Sequence, residues 1–125
     1  MAIASVLTNS FKTELLKGLH SFDTSGATPA GSVFKIALYN SSASLGTTTT
    51  AYTTSNELAT ATGYTRPGNT LTNTGVGVST VTSFTDFSDT SWTSASFTAR
   101  GCLIYNSSTI TGLTTDAAVC SIDFG

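Results

Sequence analysis

Two rhythms of apolar and polar positions divide this chain. Phe11, Leu15, Leu16 and Leu19 recur at spacings of three and four, the period of an apolar helical stripe. They predict one N-terminal α-helix over residues 9–19, capped by Asn9 or Ser10. Glu14 sits near the positive end of its dipole, Lys17 in its last turn and Gly18 close to its stop. The second rhythm is alternation. Phe34, Ile36 and Leu38 fall on one side of residues 33–39 and Lys35 on the other, which predicts a half-buried β-strand. Asn40-Ser-Ser42 ends it, because such side chains bond back to nearby backbone.

Shorter segments follow the same period. Residues 44–63 form a long polar connection carrying Leu45, Tyr52, Glu57 and Leu58, with a short helical turn after Asn56. Residues 63–68 are a strand fragment entering a turn, and 70–72 a strand edge. Residues 76–84 alternate weakly, with Val76, Val78 and Val81 broken by glycines. Phe84 and Phe87 flank an acidic turn at Asp86 and Asp89. Trp92 opens a strand pair running through Phe97 to Tyr105, and Cys120, Ile122 and Phe124 share one face of a closing strand. Residues 23–32, with Gly26, Pro29 and Gly31, read as a loop. Tyr39-Asn-Ser-Ser42 and Tyr105-Asn-Ser-Ser108 give two strands the same exit. Seven or eight short strands at this spacing predict an all-β fold, a jelly-roll-like β-sandwich over about 33–125, in a single domain spanning 1–125.

Composition changes the picture in one respect: hydroxyls stand where charges usually do. Ser and Thr are the commonest residues, while Asp, Glu, Lys and Arg make only 10% of the chain and the net charge is −2. The 39% of hydrophobic residues and a mean hydropathy of +0.16 are enough for a packed core. A surface so poor in charge suits a β protein packed against neighbours. Lys12, Lys17, Lys35, Arg66 and Arg100 are scattered, so nucleic acid is not an expected partner. No apolar run approaches the roughly 20 residues of a membrane span. No basic stretch precedes the apolar residues of 1–7, which argues against a secretion signal. The apolar segment Ala2 to Leu7 is either an arm for a neighbouring subunit or a strand on its own sheet.

Candidate chemistry is sparse. His20 is the single histidine and reads as a half-buried structural side chain at the helix end. No G-x-S-x-G elbow, P-loop or EF-hand pattern is present, and Gly75-Val-Gly77 lacks the further glycine of a dinucleotide loop. Asp86 and Asp89 are turn formers or a carboxylate pair for hydrolysis or Ca²⁺. Cys102 and Cys120 are two buried thiols or, with Cα atoms within about 7 Å, a cross-strand disulfide. The Asn-Ser-Ser acceptor patterns at Asn40 and Asn106 are chance in so Ser-rich a chain. Arg100, in an otherwise apolar strand, must reach solvent or pair with Asp123 or Asp86 within the chain, or with another subunit. Trp92, Tyr64 and Tyr52 are candidate sugar-stacking platforms. No catalytic, cofactor or metal residue is assigned, and no enzyme activity is expected.

Ser10-Phe-Lys-Thr-Glu-Leu-Leu-Lys-Gly-Leu-His-Ser-Phe22, Phe34-Lys-Ile-Ala-Leu-Tyr39, Leu45-Gly-Thr-Thr-Thr-Thr-Ala-Tyr52, Gly63-Tyr-Thr, Phe84-Thr-Asp-Phe, Trp92, Ala99-Arg-Gly101 and Asp123-Phe-Gly125 together resemble a family of small tailed-bacteriophage virion proteins. The resemblance covers nearly the whole chain. Proteins of this kind include capsid cement (decoration) proteins, so it implies a structural virion protein on the capsid exterior, made in the host cytoplasm. Its partners would be the HK97-fold major capsid protein and copies of itself, as a dimer or trimer. The alternatives are a tail or neck component, and a carbohydrate-binding or adhesin module.

Overall fold

The computed structural model describes residues 2–24, 31–61 and 63–125. Seven strands and one helix run in the order β1 (Val6–Leu7), α1 (Asn9–Leu16), β2 (Phe34–Tyr39), β3 (Asn69–Thr70), β4 (Asn73–Ser79), β5 (Thr82–Phe87), β6 (Gly101–Asn106) and β7 (Ala117–Asp123). The fold is all-β with one short helix. A five-stranded antiparallel sheet has the order β1-β7-β6-β2-β3, and β4 and β5 form a second, two-stranded sheet. Gly26 and Pro29, part of the expected 23–32 loop, lie outside the described residues.

The large sheet is covered on both faces, which corrects the half-buried reading of β2. Ile36 faces Ile104 and Leu38 faces Cys102 across the β2–β6 pair, so the expected apolar face exists. The other face is equally apolar: Ala37, Tyr39, Leu103 and Tyr105 pack under Ile3, Ala43, Leu45 and Tyr52. A strand buried on both sides loses clean alternation and reads as a continuous apolar run. Opposite, Phe34 and Val119 meet Phe11, Leu71 and the rings of Phe22 and Phe87. Beside them Leu38 and Cys102 pack with Tyr64, Trp92 and Phe97. Residues 88–100 hold no strand, so Trp92 enters the core from irregular chain and the next strand starts only at Gly101.

Main-chain bonds from the polar connections continue the pairing of β7 and β2 past the two-residue edge strands. Beyond β1, β7 is paired with the Thr-rich segment, Ala118 N donating to Thr50 O (3.0 Å) and Tyr52 N to Asp116 O (2.9 Å). Beyond β3, β2 accepts Leu58 N at Leu38 O (2.9 Å) and donates Asn40 N to Asn56 O (3.0 Å). Pairing continued in this way leaves less edge open to stray strands. The N-terminal segment packs on its own sheet: Ile3 is buried and bridges Leu45, while Val6 and Leu7 pair with Ser121 and Cys120. The repeated strand exits have one cause. Asn40 Oδ1 accepts Ser42 N (2.8 Å) and Asn106 Oδ1 accepts Ser108 N (2.9 Å), the same side-chain turn at each end.

Helix α1 is shorter than its stripe predicts. Its cap is Thr8, whose hydroxyl accepts from Phe11 N (3.2 Å) and donates to Ala118 O (3.1 Å), so anchoring to strand β7 fixes where the helix starts. Gly18 at φ +74° stops it, with Leu19 N donating to Glu14 O (3.0 Å), the bond that closes a glycine-terminated helix. The stripe also points elsewhere than expected. Phe11 and Glu14 are buried, whereas Leu15 is exposed and Leu16 is 91% exposed.

The β4–β5 hairpin turns through Thr80 and Val81, flanked by the Ser79–Thr82 pair. Thr80 holds φ +57°, a left-handed backbone that a β-branched residue adopts under strain. Thr80→Asn should raise the unfolding free energy by about 1 kcal/mol in urea titration; no gain would mean that the turn carries no such strain.

Candidate interaction surface

Ionisable and reactive side chains are taken up internally at several points. Glu57, on the connection after Tyr52, is buried; its carboxylate accepts the Tyr52 hydroxyl (2.5 Å) and the Tyr64 hydroxyl (2.7 Å), with Arg66 Nε at 3.5 Å. Arg66 also donates to the Leu58 and Glu57 carbonyls, and the Tyr64 hydroxyl accepts Leu38 N (3.0 Å). Burial pushes the pKa of the Tyr52 and Tyr64 hydroxyls above the ordinary 10, so both stay protonated donors. The cluster therefore ties the irregular 52–66 segment to β2. Sequence periodicity gave no sign of it, because its members lie in a segment without alternation.

Arg100 takes the intramolecular option. Its Nε and terminal nitrogen grip Asp123 at 2.7 and 3.1 Å, a bidentate pair that holds the Asp123 carboxyl below its usual range. Asp86 is not its partner. Asp86 belongs to β5 and Asp89 follows it, both exposed, so the expected acidic turn is a strand with its exit. Among the described residues no three His, Cys, Asp or Glu side chains gather as metal ligands. Cys102 and Cys120 are free thiols, pushed up by burial to about 12 and about 11. They face Ile122 and Ile104 across β6–β7 rather than each other.

His20 is more deeply buried than expected. Its Nε2 lies 3.3 Å from Glu14 Oε1 and its Nδ1 3.0 Å from Asn106 Nδ2, with Phe11 edge-on at 4.8 Å. Burial lowers its basicity more than Glu14 restores it. The stacking platform does not form: Tyr64 is 1% exposed, Tyr52 stacks on Tyr105 at 4.7 Å, and Trp92 packs between Tyr64 and Phe97.

One outward face, that of the β4–β5 hairpin, is apolar. Val76, Val78, Ser83, Thr85 and Phe87 share one face of the hairpin by register, and Phe87 anchors its base against Phe22 and Phe34. Toward the tip the valines lie open, Val76 at 61%, Val78 at 69% and Val81 at 93%. Between hairpin, helix and sheet runs an apolar groove of about 460 Å³, its walls including Leu7, Phe11, Leu15, Phe22, Val76 and Phe84. None of the side chains lining it carries a charge. The phenyl ring of Phe84 lies over Gly77, where a Cβ would stand 2.8 Å from the ring. Both strands of this hairpin also have an edge without a ladder partner among the described residues. The valine alternation in 76–84 was the available signal, and its outward side was not legible. Comparison with family models, curated proteins and solved structures finds no match to this chain.

Proposed function

We propose that this chain is a structural protein of a tailed-bacteriophage virion, a cement protein that binds the outer capsid surface. It works there without transforming a substrate, as copies of itself set on the HK97-fold major capsid shell. The observation that carries this reading is the projecting hairpin, with three open valines beside an uncharged apolar groove. Apolar patches of this kind on a soluble domain favour contact with another protein. Contacts through apolar and hydroxyl groups are also less sensitive to salt than ion pairs. In this reading β4–β5 is the incomplete layer of a jelly-roll-like sandwich, and a neighbour's strand extends its open edge. Many such weak joints across a shell raise its stability by linkage and avidity.

Purified protein should co-sediment with undecorated heads and raise the temperature at which they open. The double variant Val78→Asp/Val81→Asp should unfold at the same denaturant concentration, since both side chains are solvated, yet bind heads more than tenfold more weakly. Wild-type-like binding would remove the hairpin from the contact. Sedimentation with tails but not heads would favour the tail or neck reading. A monomer that joins neither would end the proposal.

A further inference from the structure

The His20 imidazole joins three parts of the chain and packs on Phe11, one of the residues that line the groove. Glu14 reaches it from α1 and Asn106 from the exit of β6, while Phe11 and Phe34 cover its ring. Of these neighbours Glu14 alone brings a charge; β2 contributes Phe34 and β6 contributes Asn106. The hydrogen bonds also fix which nitrogen carries the proton. Asn106 Oδ1 is committed to Ser108 N (2.9 Å), so the amide cannot turn over and its Nδ2 must donate to His20 Nδ1 (3.0 Å). Nδ1 is then the acceptor, and Nε2–H donates to Glu14. Two residues on, Phe22 lies flat against Phe34 at 4.5 Å and lines the groove, and Ser21 and Ser32 exchange bonds that hold the same stretch.

We propose that His20 is an acid-operated latch: a proton taken at Nδ1 sets two donors face to face, breaks the bond from Asn106, and frees the 17–22 connection with Phe22 from the groove wall. Charging a side chain with no exposed surface adds to the effect, and attraction to Glu14 offsets only part of it. Because the buried imidazole is less basic than the ordinary 6.5, the opened form holds more protons. The closed form is therefore fully favoured above that pH and loses ground as pH falls through it. At pH 5.0 an opened form with an ordinary imidazole gains up to about thirtyfold in population.

The test is hydrogen exchange of the wild-type protein by NMR at pH 7.5 and 5.0, read as protection factors corrected for intrinsic rates. Amides of residues 17–22 should lose up to about thirtyfold in protection while those of Ala37 and Leu103 hold, and the imidazole should be the Nε2–H tautomer at pH 7.5. Asn106→Asp keeps an acceptor for Ser108 N and offers another to a protonated Nδ1, so protection in 17–22 should hold or rise on acidification. Protection that is flat with pH in the wild type, or an Nδ1–H tautomer, would overturn the latch. So would an Asn106→Asp protein that follows the wild type; if that variant does not fold, the two wild-type readouts decide.

Discussion

Phe34→Ala should lower the unfolding free energy by about 4 kcal/mol, among the largest losses for a single side chain of this protein. Phe34 is 1% exposed, stacks on Phe22 at 4.5 Å and meets Phe87 edge-on at 5.6 Å. Truncation leaves a void that three separate segments border: β2 itself, the connection after α1, and the base of the hairpin. Each segment is tied by main-chain bonds, β2 in its ladder, Ser21 with Ser32 and Ser88 with Thr72, so they cannot all collapse inward. For a domain whose whole stability is of the order of 5–15 kcal/mol, the variant should be close to unfolding at 37 °C. Urea denaturation followed by Trp92 fluorescence reads this directly. A loss under about 1 kcal/mol would show that the three rings do not share one packed site.

Gly68→Ala should cost on the order of 3 kcal/mol, for a reason unrelated to burial. Gly68 holds φ +95°, and a Cβ there would overlap the Ile36 carbonyl oxygen and stand 2.8 Å from its carbon. The obstacle is main chain in the middle of β2, so β3 has to lift away. That movement breaks the pairing of Asn69 and Thr70 with β2 and the bond from Leu71 N to Phe34 O (2.9 Å). Gly18→Ala is the internal control. Gly18 has φ +74° but nothing within 4 Å of an added Cβ, so it should lose only the left-handed preference, about 1 kcal/mol. Equal losses at the two positions would mean that Gly68 matters for its backbone angle and not for the close approach.

Much of the β framework was legible because strand length and apolar content survive translation into sequence. β2 and β7 fall where alternation or apolar runs place them. The burial of Ala37 and Tyr39 was not legible, since a second cover on the sheet comes from Ile3, Ala43 and Leu45, all distant in sequence or in polar chain. The helix departs from its apolar stripe for a related reason. Leu15 and Leu16 match the apolar period better than Glu14, but His20 and Asn106 give Glu14 a buried partner network that no local window contains. The candidate surface suffers most. Val76, Val78 and Val81 read equally well as core or as contact, and only the placement of the hairpin decides.

The central position of β7 between β1 and β6 has a consequence for how the molecule comes into being. β7 follows every other strand in the chain, yet it takes ladder bonds from Val6 and Leu7 on one side and from β6 on the other. During synthesis on the ribosome, β1 and the Thr-rich segment wait without their partner until β7 has emerged. The nascent chain therefore completes this sheet late and by long-range closure, a slow route that leaves apolar strands open to chaperones meanwhile.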